Sequence, residues 1–156
     1  EGPTEEMLIN ALLNRIVDKI SDVEVFAVGH KGFKRYMDIW LKLNHGNGRV
    51  KLGVVRDFDN QTNAKMEHDS YDTNNNNIRV RTTGGYTLED DLVVAGTNCA
   101  KLSNYYQIDN DPSIVAEYLK GKKAENMLEL CMEITDDSLN LTAPQHIKEV
   151  IEWIIK

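Results

Sequence analysis

Apolar residues recur every three or four positions at Leu8, Ile9, Leu12, Leu13, Ile16, Val17 and Ile20, and this spacing predicts a helix with one buried face. Pro3 and the acids that follow it suit the start of that helix, where negative charge meets the positive end of the helix dipole. The pattern then changes. Val23-Glu24-Val25-Phe26-Ala27-Val28-Gly29 reads as a strand, His30-Lys31-Gly32 as the turn out of it, and Phe33, Tyr36, Met37, Trp40 and Leu41 as the apolar face of a second helix. Asn44-His45-Gly46-Asn47-Gly48 breaks the chain before a second strand over 51–57.

From Asn60 to Asn77 the chain turns polar, with four asparagines at 74–77, and predicts a loop or short helix. Ile78-Arg79-Val80-Arg81-Thr82-Thr83 alternates like a half-exposed strand, and Gly84-Gly85 ends it. Thr87 is placed to cap a helix that opens on Glu89, Asp90 and Asp91; consecutive acids fan around a helix axis, so only one or two can face any one site. The remainder reads as helices over 97–106, 112–120, 124–134 and 144–155, the last with a stripe of Ile147, Val150, Ile151 and Ile154.

Strands alternating with helices predict an α/β fold with a parallel sheet, in which ligands sit at the carboxyl ends of the strands. The apolar run Leu52-Gly53-Val54-Val55 ends in Arg56-Asp57-Phe58-Asp59-Asn60, at such an end. Strand geometry sends Asp57 and Asp59 to the same side, where two negative charges want a cation, and Mg2+ suits one or two carboxylates with waters that a phosphate can displace. The competing reading of this D-x-D is a solvated turn or a helix cap.

Composition narrows the picture. With 156 residues, 41% hydrophobic and three prolines, the chain is long enough for one well-cored domain over 1–156. Cys99 and Cys131 match neither a disulfide framework nor a CxxC zinc pattern, and no signal peptide or membrane-length apolar run is present, so a reducing, cytoplasmic setting is expected. A net charge of −7 argues against a nucleic-acid binder held by a basic surface, but not against a metal-dependent nuclease whose site carries part of that charge. His30, His45, His68 and His146 show no metal spacing and read as surface or turn residues, and Asp90 and Asp91 as solvated.

Taken in order, Glu1-Gly2-Pro3-Thr4-Glu5, Gly29-His30-Lys31-Gly32-Phe33-Lys34, Val55-Arg56-Asp57-Phe58-Asp59 and Leu88-Glu89-Asp90-Asp91-Leu92 resemble the TOPRIM nuclease domain of the OLD (overcoming lysogenisation defect) family, over residues 1 to about 123. The resemblance implies a TOPRIM-like (Rossmann-like) parallel sheet flanked by helices, with a helical C-terminal part, and a metal-dependent DNA endonuclease using two Mg2+ or Mn2+ ions. It places Glu1, Glu5, Asp57, Asp59 and Glu89 as metal ligands, with Glu1, Asp57 and Asp59 also catalytic. Lys122 becomes the basic residue near the scissile phosphate, with Lys120 or Lys123 as alternatives in that register. It further implies DNA as partner and an N-terminal ABC-type ATPase domain in the same polypeptide, through which ATP would act and oligomers could form. The first strand and that ATPase would precede Glu1, so a fragment of a longer protein is expected.

Chemistry agrees with this assignment, since two-metal phosphodiester hydrolysis needs carboxylates converging from different segments. Three rivals stay open: the TOPRIM domain of another DNA-processing enzyme, a phosphatase of the haloacid dehalogenase type, and a degenerate module that binds DNA or protein without cutting. For Glu1 and Glu5 the bland alternative is a favourable helix-dipole contact, worth up to about 1 kcal/mol.

Overall fold

A computed structural model describes residues 2–16, 22–29, 32–45 and 47–156, except the side chains of Ile16 and Thr73. Among them the chain forms eight helices and two strands: α1 (Pro3–Ile16), α2 (Phe33–Leu43), β1 (Leu52–Arg56), α3 (Thr62–Asn74), β2 (Ile78–Thr82), α4 (Leu88–Val94), α5 (Asn98–Tyr106), α6 (Pro112–Gly121), α7 (Lys123–Thr135) and α8 (Gln145–Ile154). This is an α/β architecture, mostly helical. No helix among the described residues is long and apolar enough to cross a membrane.

The strands pair in parallel, Leu52 against Ile78 through Arg56 against Thr82, with α3 as the crossover that a parallel pair requires. Alternation along each strand then divides the core in two. Val54, Ile78 and Val80 pack with Phe33 and Met37 on the side of α2. Val55 faces the other way, into a larger cluster with Leu8, Leu12, Leu88, Leu92, Leu130 and Ile147. Truncating a fully buried leucine in such a cluster costs roughly 2–5 kcal/mol. Gly53 is required on that face, because a Cβ there would lie 2.4 Å from Val150 Cγ1 of α8.

One sequence expectation changes and another is narrowed. Val23, Val25 and Ala27 are half-buried as a strand pattern demands, but the segment 23–29 forms no strand and is not part of the sheet. It is held instead by side chains, including Ala27 N–H donating to Glu6 Oε2 at 2.9 Å. Of the loop or short helix expected after Asn60, the chain forms a helix, 13 residues long, in which the polar groups are used: Tyr71 donates to Asp38 of α2, and Asp72 accepts from Val80 N–H at 3.1 Å and pairs with Arg79 and Arg81. Asp72 thereby covers the outer edge of β2, which would otherwise present an unpaired N–H to solvent.

Candidate acidic site around Lys123

β1 ends at Arg56, and the turn after it is clamped by the loop that follows β2. Phe58 N–H donates to Thr83 Oγ1 at 2.9 Å, Thr83 N–H to Arg56 O at 3.0 Å, and Asp59 N–H to Tyr86 O at 3.2 Å. Asp57 is thus held just past the carboxyl end of β1, on the Val55 side of the sheet, with 5% of its surface exposed.

Two helices bring further acids to the same place. Glu5, in the first turn of α1, is 3% exposed and accepts the Gly2 N–H at 2.7 Å. Glu89, the second residue of α4, is 1% exposed, and neither of its oxygens has a hydrogen-bond partner among the described residues. The three carboxylates meet at one cation: Lys123 Nζ lies 3.2 Å from Glu89 Oε1, 3.5 Å from Glu5 Oε1 and 4.0 Å from Asp57 Oδ2.

Lys123 opens α7, a position that the helix dipole disfavours for a cation. The junction with α6 fixes it there, because the buried Asn126 amide donates to the carbonyls of Tyr118 and Leu119 and ties the start of α7 to the end of α6. Burial works against the Lys123 charge, but Glu89, Glu5 and Asp57 outweigh it and hold the ammonium above its ordinary value. For Glu5, burial alone would raise the carboxyl. Lys123 and the backbone N–H groups outweigh that, and the group lies below the usual carboxylate range.

The remaining sequence candidates lie elsewhere. Glu1 is outside the described residues, as is His30. Asp59 lies beyond the end of β1, and Asp59 and Asn60 are left-handed, with φ of 47° and 57°, so the period-2 geometry that would put it beside Asp57 does not apply there. Lys122 is exposed and paired with Glu125 at 3.4 Å, while Lys120 pairs with Asp90 at 2.7 Å. The register that was left open between these lysines thus puts Lys123 among the acids.

Asp90, Asp91, His68 and His146 also differ from expectation. Asp90 accepts the Thr87 N–H at 3.0 Å and closes the start of α4. Asp91 receives the N–H groups of Gly84 (2.8 Å) and Gly85 (2.7 Å) and lies 2.9 Å from Nδ1 of the buried His146. Burial raises its carboxyl, yet His146 and the two glycine N–H groups bring it below its ordinary 3.8. His68 is buried in ring contact with Phe33, 5.6 Å between centroids. Helical phase carries part of this: Lys123 precedes Met127, Leu130 and Ile134 on the buried stripe of α7, and His146 precedes Val150 on that of α8.

The donor set suits a hard cation in kind, being carboxylate oxygen throughout, with Glu89 Oε2, buried and without a hydrogen-bond partner among the described residues, as its strongest demand. It is not a ready-made cage, since no group of three or more His, Cys, Asp or Glu among the described residues is spaced to hold a metal ion. Lys123 stands between the acids. A separate apolar cleft of about 1010 Å³ runs along β1 beside residues 22–28 and meets the acidic site only at Glu5. Compared with known proteins, the chain matches no family model, no curated protein and no solved structure.

Proposed function

We propose that this chain is a metal-dependent DNA endonuclease domain, hydrolysing phosphodiester bonds at the site formed by Glu5, Asp57 and Glu89. One observation carries the reading: three buried acids from three separate elements converge on a single lysine at the carboxyl end of a parallel strand. With all four groups ionised, three carboxylates against one ammonium leave a formal charge of −2 in a desolvated place, which calls for a further divalent cation.

Glu5, Asp57 and Glu89 would hold Mg2+ or Mn2+. When bound, the ion supplies Lewis-acid polarisation of the phosphate and a water activated near neutral pH. The chain's own groups do the rest. Glu5, held ionised by its surroundings, stays a donor rather than an acid. Lys123, held protonated, adds positive charge beside the phosphate and does not act as a base. The two-metal form of the reading, with Glu1 and Asp59 as further ligands, belongs to the TOPRIM resemblance, as do the OLD-type ATPase domain of the same polypeptide, a cytoplasmic setting and a role in phage defence.

Nicking of supercoiled plasmid in Mg2+ or Mn2+ tests the reading. Asp57→Asn should abolish cleavage while circular dichroism and melting stay close to those of the unaltered protein. Absence of cleavage with either metal, in the full-length protein as well as this chain, rejects it; retained cleavage by a folded Asp57→Asn protein rejects the site.

A further inference from the structure

The acids lie on one face of the sheet; the other face buries an unanswered positive charge. Arg56 is 3% exposed, yet its Nε and Nη1 have no hydrogen-bond partner among the described residues. Thr82, its register partner on β2, has a buried hydroxyl that is likewise unpartnered. Strand alternation puts both groups on the side of Val54, Ile78 and Val80, away from Asp57.

A guanidinium taken from water without a partner is costly, and none of the ion pairs among the described residues includes Arg56. The carboxylates of α2 and α3 that form ion pairs are engaged elsewhere: Asp38 with Lys34, Asp69 with Lys65, and Asp72 with Arg79 and Arg81. Both Arg56 and Thr82 sit at the carboxyl ends of their strands, where open parallel sheets admit ligands.

We infer that Arg56 and Thr82 form an anion site for a phosphate oxyanion, separate from the acidic site. The guanidinium supplies charge and planar donors, the hydroxyl a further donor. Assigning that phosphate to a DNA backbone, beside the one being cut, rests on the nuclease reading; the anion chemistry does not.

The test is thermal denaturation of the full chain in EDTA, with inorganic phosphate titrated against chloride at matched ionic strength. A saturable rise in Tm specific to phosphate is expected for the unaltered protein, as linkage requires of a ligand that binds only the folded state. It should vanish in Arg56→Met and shrink in Thr82→Val, which changes no charge and carries the expectation if Arg56→Met does not fold. No phosphate-specific rise, or the same rise in both variants, overturns the site. In a second arm, fluorescence anisotropy with a short labelled duplex should show at least tenfold weaker binding by Arg56→Met. Unchanged duplex affinity with a lost phosphate shift keeps the anion site and overturns its assignment to the backbone. Because the phosphate shift is read without metal, an inactive protein that shows it rejects the nuclease reading alone.

Discussion

Two ion networks touch the same short sheet and are built on opposite principles. At the outer edge of β2, Arg81 joins Asp72 to Glu149, Arg79 adds a second contact to Asp72, and Arg79 also lies over the Trp153 ring at 5.1 Å. Two cations meet two acids there, and each side chain keeps roughly a quarter or more of its surface, 24% for Asp72 and 38% for Glu149. Around Lys123 one cation meets three acids whose side chains keep 1–8%. Matched charge at a wet edge is what stability asks for. Unmatched charge in a dry place costs stability, which is the cost that a bound cation would offset under the proposed function.

The largest effect expected from breaking that contrast is catalytic: Glu89→Gln should lower plasmid nicking by roughly 10³-fold, the scale for removing a charge-stabilising group from such a site. Lys123→Met should cost about 3 kcal/mol in metal-free buffer, the low end for breaking a buried pair because the lysine side chain retains 38% exposure. Mg2+ should restore a larger share of stability to that variant than it adds to the unaltered protein, read as the rise in Tm on titration. A Tm that Mg2+ leaves unmoved in both would show that the three acids bind no divalent ion.

A smaller effect follows from acid. Glu5 and Asp91 both titrate below their ordinary values of 4.5 and 3.8, so each contributes stability that is full above those values and is lost as the pH falls through the lower, folded ones. Melting temperature should therefore drop as the buffer is taken below about pH 4.5, the ordinary value for Glu5. Asp91→Asn should make that acid limb shallower; an unchanged limb would remove the His146 contact and the two glycine bonds from the account. The smallest effect belongs to the balanced network, where Arg81→Ala should cost less than about 1 kcal/mol and leave nicking intact. A large loss of activity in that variant would erase the distinction between the two networks.

The sequence misjudged particular groups for identifiable reasons. Asp59 follows the strand pattern on paper, but β1 ends at Arg56 and Asp59 is itself left-handed, so period-2 geometry does not apply to it. Asp91 and His146 carry no local mark of partnership, since their contact joins α4 to the start of α8, far along the chain. Arg56 looks like any charged residue at a strand end, and only burial without a partner sets it apart.

Periodicity alone determined most of the elements: the stripes of α1, α2, α7 and α8 and the two paired strands follow from where apolar residues recur, because local geometry dictates which side chains share a face. It also put Asp57 at the end of a strand and acids at the starts of two helices, while it was the TOPRIM resemblance that picked Glu5 and Glu89 from among those acids. Only the tertiary structure decided that these three meet, that Lys123 and not Lys122 stands among them, and that residues 23–29 lie outside the sheet. The physical reason is common to all three. Convergence, burial and strand pairing are relations between segments distant in sequence, and their energies depend on the dielectric and the partners that folding supplies.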